Sequence, residues 1–339
     1  MQDELIAWYR VHHRHFPWRE DQEPYHIWIS EIMLQQTTTE TVIPYYQRFM
    51  ARFPDVNSLA LASEEEVYKM WEGLGYYRRA RHLHESAKII VEQYEGKFPH
   101  EYEAIRALKG IGDYTAGAIS SIAFQQQVPA VDGNVLRIIS RVYMIKDNIA
   151  LSKTQKKIYQ IVAHLLTGKD ASAFNQGLMD LGATICRPLH PRCFQCPIAK
   201  HCQAFEQHQQ EVLPVNIKKI RHQEKNYITG IITYQGRLLM IKNKAGLLEN
   251  LYGFIQYELE SPYSFVEKFA EDYHCLLAMG RYIKNIKHVF THRTWHMHVY
   301  HFELESEIEG LFSLEQIQAL PVSTAHLKVL KAYLHDMNS

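Results

Sequence analysis

Apolar residues recur at helical spacing through the first half of the chain and give way to alternation in the second. Between 78 and 93, Leu83, Ala87, Ile90 and Val91 fall on one helix face. Ala116, Ile119 and Ala123 repeat that spacing on a later helix. Phe53-Pro54-Asp55 and Gly96-Lys97-Phe98-Pro99 punctuate the segments, as proline and glycine do where a chain turns. Residues 1 to about 185 therefore predict a succession of short helices. The stretch 206–226 is polar and basic, with four glutamines, and reads as a linker. Beyond it the periodicity becomes that of strands. Segments 227–234 and 237–242 flank Gln235-Gly236 as a hairpin, 264–273 is a helix, and 289–302 is a second strand region. The pattern predicts a mainly α N-terminal part followed by a small C-terminal α+β domain, without internal repeats.

Four of the five cysteines, Cys186, Cys193, Cys196 and Cys202, lie within 17 positions, spaced C-x6-C-x2-C-x5-C. Four thiols in so short a loop are a metal signature. A zinc ribbon usually carries two C-x2-C knuckles far apart. This compact spacing suits a [4Fe–4S] cluster better, with zinc as the alternative. A pair of disulfides is the plainer reading, but it belongs to secreted proteins. The start MQDELIAWYR has no apolar core of a signal peptide, and no apolar run approaches a membrane span. A cytoplasmic protein is expected, with Cys275 a thiol without a role.

Net charge is zero, with 37 basic and 37 acidic residues, and the balance holds on both sides of Phe205. Global charge therefore gives no sign of nucleic acid. Any contact with DNA must come from local groups, such as Arg78, Arg79 and Arg81; Lys218, Lys219, Arg221 and Lys225; or Arg187, His190 and Arg192 inside the cysteine loop, for which a solvated surface is the plainer reading.

The segment Leu108-Lys109-Gly110-Ile111-Gly112-Asp113-Tyr114-Thr115 places two glycines around one apolar residue before a helix. Such a turn is expected to use positive φ at the glycines and to point free N–H groups at a phosphate. An ordinary helix–helix turn is the plainer alternative. Two acids stand in unusual settings. Glu31 interrupts an apolar helix, and Asp132 sits in Val131-Asp132-Gly133-Asn134-Val135, where a helix N-cap is the simple role.

Taken with Pro17-Trp18-Arg19, Ser30-Glu31-Ile32-Met33-Leu34-Gln35-Gln36-Thr37 and Gly73-Leu74-Gly75-Tyr76-Tyr77, these motifs resemble the MutY family of adenine DNA glycosylases. That family belongs to the helix-hairpin-helix, endonuclease III-like superfamily. The resemblance implies a helix-hairpin-helix glycosylase domain over 1–205 with a [4Fe–4S] loop at 186–202, a linker at 206–226 and a Nudix-like 8-oxoguanine-recognition domain over 227–339. It implies Glu31 as the acid that protonates adenine and Asp132 as the carboxylate that stabilises the cationic sugar, a division of labour like that of retaining glycosidases. Apolar burial would raise the Glu31 pKa and a helix start would keep Asp132 ionised. Trp18, Arg19 and Gln176 become adenine-pocket residues, Gln36 and Tyr76 fill or wedge the gap left by an extruded base, and Gly110 and Gly112 grip the backbone. Tyr114 stands where endonuclease III relatives carry the Schiff-base lysine, which implies a monofunctional enzyme using water.

In the second domain, Phe290-Thr291-His292 at a strand end resembles the family's Phe-Ser-His and implies contact with the base opposite adenine. No acid cluster of a Nudix hydrolase occurs between Gly246 and Cys275, so recognition without hydrolysis is expected. His288, His292, His296, His298 and His301 crowd one region; His296 and His298 share a face, with no carboxylate expected near, and a solvated strand face is the better reading than a metal site. The implied partner is double-stranded DNA bearing A·8-oxoguanine or A·G mispairs, met by a bacterial, DNA-associated monomer. Two rivals stand against it: a glycosylase-lyase for oxidised pyrimidines, and a non-catalytic DNA-binding Fe–S protein.

Overall fold

The computed structural model describes residues 1–217, 222–259 and 261–337. Of the basic cluster noted above, Lys218, Lys219 and Arg221 lie outside the described residues. The chain divides into two compact units, Met1–Ala62 with Arg78–Lys218, and Ser63–Tyr77 with Lys219–Ser339.

The first unit is helical, as the 3.6-residue periodicity requires. Its elements are α1 (Gln2–His12), α2 (Pro24–Leu34), α3 (Thr39–Arg52) and α4 (Val56–Leu61). After α5 (Glu64–Trp71), which belongs to the other unit, come α6 (Arg78–Tyr94), α7 (Tyr102–Ala107), α8 (Asp113–Phe124), α9 (Gly133–Val142), α10 (Ser152–Leu166), α11 (Ala171–Thr184) and the short α12 (Gln203–Glu206). Leu83, Ala87 and Ile90 are buried on the inward face of α6, with Val91 at its margin. The helices that will matter for chemistry are more deeply set. From Ile27 to Met33 every residue of α2 is buried, and from Thr115 to Ile122 every residue of α8 is. A helix apolar on all sides lies in the middle of a domain. Fully burying an aromatic such as Trp28 stabilises the fold by roughly 2–3 kcal/mol. Close approach is purchased with glycine: a Cβ on Gly117 of α8 would stand 2.2 Å from the Pro129 carbonyl oxygen.

The second unit carries a mixed sheet of β1 (Gln223–Tyr234), β2 (Arg237–Leu239), β5 (Ile255–Tyr257), β6 (Arg281–Val289), β7 (Arg293–Glu303) and β8 (Leu311–Phe312). Its order is β6-β7-β1-β2-β8, with β5 also paired to β1, while β3 (Ile241–Lys242) and β4 (Tyr252–Gly253) pair separately. β1 and β7 run parallel from Gln223↔Arg293 to Thr233↔Glu303. The β1–β2 hairpin closes through Gln235 and Gly236 at φ 47° and 77°, the left-handed pair that matches strand twist. α13 (Pro262–Tyr273) covers one face, where Phe265 stacks on Phe302 at 4.7 Å and lies so close to Gly230 that a side chain there would clash. α14 (Leu314–Ala319) and α15 (Thr324–Met337) complete the unit. α5 joins it through Glu72, which accepts from the Val322 N–H at 3.1 Å, and Lys69, which donates to the Leu320 carbonyl at 3.2 Å.

The expected fold class stands, helical first and α+β second, with one correction inside it. The region 289–302 is not a single strand: Val289 ends β6, Phe290-Thr291-His292 is a hairpin turn, and Arg293 begins β7. Alternation continues across so short a turn, so periodicity alone does not reveal it. No helix among the described residues is long and apolar enough to cross a membrane.

Candidate active site

A cavity of about 830 Å³ opens in the first unit, and seven residues singled out by sequence line it: Trp18, Arg19, Glu31, Gln36, Tyr114, Asp132 and Gln176. They come from five separate stretches of chain.

Glu31 enters from α2 and is only 7% exposed. Burial pushes its carboxyl up to about 7; Tyr114 and Arg19 pull it down and Asp132 pushes it further up. At neutral pH it is therefore divided between acid and anion, the state a general acid needs. Tyr114, on α8, turns its hydroxyl toward Glu31, where it favours the ionised form, and toward the Met179 sulfur at 3.9 Å. Its own pKa is raised well above the ordinary value, first by burial and then by the two carboxylates.

Asp132 is the N-cap of α9. Its Oδ1 accepts the Val135 N–H at 2.8 Å and its Oδ2 accepts Asn134 Nδ2 at 2.6 Å. The helix start was expected to hold this acid low. It does pull in that direction, but the net shift is upward, because burial outweighs the Val135 and Asn134 hydrogen bonds. The cap thus fixes orientation more than charge.

The pocket wall holds what sequence did not show. Arg19 donates to Asp180 Oδ2 at 2.8 Å and Oδ1 at 3.1 Å, and Arg14 donates to the same carboxylate through its backbone N–H at 3.0 Å and Nε at 2.8 Å. Burial opposes the Asp180 charge, yet the two arginines bring its pKa below the ordinary value. Arg14 and Asp180 were missed because they lie 166 residues apart and match no motif. Trp18 is buried, stacked on Phe16 at 5.0 Å. Gln176 is buried and donates to Ser172 Oγ at 3.0 Å.

The glycine hairpin joins α7 to α8, but only Gly110 uses positive φ, at 79°; Gly112 is an extended N-cap at φ −96°. Gly110 lies against His82, where a Cβ would come within 2.9 Å, whereas Gly112 faces open space. Both are exposed. Gln36 and Tyr76 are exposed non-glycine residues in the left-handed region, at φ 59° and 51°.

In the second unit, the Tyr76 hydroxyl hydrogen-bonds that of Thr291. Phe290 is half-buried between His288 and Trp295, at 4.5 and 4.8 Å, while Thr291 and His292 are exposed. His296 has a carboxylate beside it after all: β1 runs parallel to β7 and brings Glu224 to 3.0 Å from Nε2. Among the described residues no three His, Cys, Asp or Glu side chains converge to hold one metal ion. Cys275 is buried.

Cys186, Cys193, Cys196 and Cys202 are all free thiols. Burial pushes Cys196 up to about 12, with the other three thiols adding to the rise. Four thiols on one short loop are the kind of donor set that an iron–sulfur cluster takes. Positive charge is provided: Arg141, 2% exposed, donates Nη1 to Cys186 Sγ at 3.2 Å, and the same guanidinium holds the carbonyls of Arg187, Pro188 and Leu213. Next to it, Arg137 donates to the Cys186 carbonyl at 2.8 Å and to Asn134 Oδ1 at 2.9 Å. That links the loop to the residue that orients Asp132.

The family profile of HhH-GPD superfamily base excision DNA repair proteins matches residues 29–164, and that of the NUDIX domain matches 228–332. The adenine DNA glycosylase of Buchnera aphidicola subsp. Schizaphis graminum is 34% identical over 295 residues, covering 86% of this chain and 84% of that protein. That of Buchnera aphidicola subsp. Acyrthosiphon pisum is 39% identical over 241 residues, covering 70% and 69%. Among solved structures, a thermostable thymine-DNA glycosylase superposes with a TM-score of 0.55 at 31% identity, over 60% of this chain and 94% of its own.

Proposed function

Since the chain belongs to the adenine DNA glycosylases of base excision repair, we propose that its substrate is adenine mispaired with 8-oxoguanine or guanine in double-stranded DNA, and that it releases the base without cutting the strand. The observation that carries this reading is Glu31, buried with a carboxyl pKa of about 7 beside Asp132, in a cavity large enough for a base.

Adenine is a poor leaving group because its departure with the bonding electrons leaves an anion. A proton from Glu31 to the ring nitrogen makes it leave neutral. The sugar is left with oxocarbenium character, and ionised Asp132, held by Val135 and Asn134, faces it as a fixed negative charge. Water then completes the hydrolysis. Reaching the bond requires adenine to leave the stack, at a cost of roughly a few kcal/mol. Gln36 and Tyr76 fill the vacancy, Gly110 and Gly112 hold the backbone, and Trp18, Arg19 and Gln176 line the receiving pocket. Thr291 and His292, presented at the β6–β7 turn with Phe290 behind them, would meet the opposite base.

Strand cleavage by a lyase needs an amine at the sugar. Tyr114 supplies none, and Lys109 is exposed and paired with Glu85 at 2.9 Å. Cys186, Cys193, Cys196 and Cys202 would hold a [4Fe–4S] cluster, whose iron–thiolate bonds would cross-link the loop.

The test is base release from duplexes carrying A·8-oxoguanine, A·T or thymine glycol, each read before and after alkali. Abasic sites from the first alone, with breaks only after alkali, support the proposal. Breaks in the thymine-glycol strand without alkali would move the protein to the lyase branch. Glu31→Gln should abolish release and leave mismatch binding largely intact.

A further inference from the structure

Arg79, in the first turn of α6, directs its guanidinium at the C-terminal end of α2. Nη1 donates to the carbonyls of Ile32 and Met33 at 2.9 Å each and of Gln35 at 2.6 Å, and Nη2 reaches Thr37 Oγ1 at 3.5 Å. The last carbonyls of a helix have no partner within it, and a cation there complements the dipole.

The Gln35 carbonyl has a special place. Leu34 to Thr37 form a β-turn, closed by the Thr37 N–H on the Leu34 carbonyl at 3.3 Å. Gln35 has φ −59° and ψ 113°, and Gln36 has φ 59°. These are type II angles, in which the central peptide is turned over relative to type I and the third residue takes positive φ, a position suited to glycine. Here that residue is glutamine. The central peptide is Gln35–Gln36, and its carbonyl is the one nearest to the guanidinium.

We propose that Arg79 is a positioning residue for base extrusion: by holding the Gln35 carbonyl it keeps the Gln35–Gln36 peptide in the type II orientation and so presents the exposed Gln36 side chain at the cavity mouth, ready to take the place of the departing base. Without it the peptide turns over, Gln36 relaxes to negative φ, and its side chain leaves that pose. The inference rests on the proposed gap-filling role of Gln36.

The experiment compares full-length Arg79→Met, Arg79→Lys and Gln36→Ala with the parent chain in single-turnover adenine release. Two substrates are used: an A·8-oxoguanine duplex with paired neighbours, and one whose flanking pairs are also mismatched, so that adenine is already unstacked. Arg79→Met is expected to slow release from the first at least about tenfold, and from the second by less than about twofold, in parallel with Gln36→Ala. Arg79→Lys should fall between, since one ammonium reaches fewer of the carbonyls, and it decides the matter should Arg79→Met fail to fold. Equal slowing on both substrates would mean that Arg79 only supports the fold, and would overturn the inference. So would a normal rate for the Arg79 variants beside a slow Gln36→Ala, which leaves the role of Gln36 intact. Normal release by Gln36→Ala on the paired duplex would remove that role and the inference with it.

Discussion

Arg19 and Asp180 meet in a two-pronged ion pair, at 2.8 and 3.1 Å, around a carboxylate whose side chain is wholly buried. Asp180 receives Arg14 as well, so one carboxylate holds two arginines at the pocket wall. Removing its charge would strand two cations, one of them 13% exposed. Asp180→Asn should therefore lower stability by about 3–5 kcal/mol. Thermal unfolding measures it; a loss below about 1 kcal/mol would show that the pair contributes little.

The burial of Glu31 works against stability at neutral pH. Its folded pKa, about 7, lies above the ordinary glutamate value of 4.5, so the folded state binds the proton more tightly. The folded state is penalised as pH rises from about 4.5 to 7, and the penalty approaches roughly 3 kcal/mol above that window. Glu31→Gln should thus raise the unfolding temperature at pH 8 and change it little at pH 4. A variant equally or less stable at pH 8 would contradict this burial argument.

On the proposed role of Glu31 as the acid, the same proton sets the rate. Base release should fall about tenfold per pH unit above a limb near pH 7, where Glu31 loses its proton. The Tyr114 hydroxyl favours the ionised form of Glu31, so Tyr114→Phe should move that limb to higher pH. Single-turnover pH profiles of the two proteins decide it; an unmoved or lower limb would detach Tyr114 from Glu31.

Arg141 is expected to hold the cysteine loop. Arg141→Met would leave three carbonyls and the Cys186 sulfur without their donor in a buried setting, at a cost of about 3 kcal/mol or more. Purified protein should contain fewer iron atoms per chain than the parent. Iron content equal to the parent, with unchanged stability, would rule the clamp out.

Much of this was legible in the sequence because it depends on short-range spacing. The four cysteines, the glycine hairpin and Val131-Asp132-Gly133-Asn134-Val135 are local patterns, and the helix face of Leu83, Ala87 and Ile90 is a periodicity. What escaped depends on contact across the chain. Asp180 reads as one more acid near the end of a helix until Arg14 and Arg19 fold against it. Glu224 becomes a neighbour of His296 only because β1 and β7 pair in parallel. The balance at Asp132, cap against burial, is a sum of opposing effects that a motif does not weigh. Gly112 shows the same limit: a glycine permits positive φ, and of the two hairpin glycines only Gly110 uses it.

The bridge from the Cys186 carbonyl through Arg137 and Asn134 to Asp132 is a run of three direct hydrogen bonds. It ties the cysteine loop to the first turn of α9, so the seat of Cys186 and the aim of the Asp132 carboxylate are one mechanical unit: neither shifts without straining the hydrogen bonds of Arg137 and Asn134 between them.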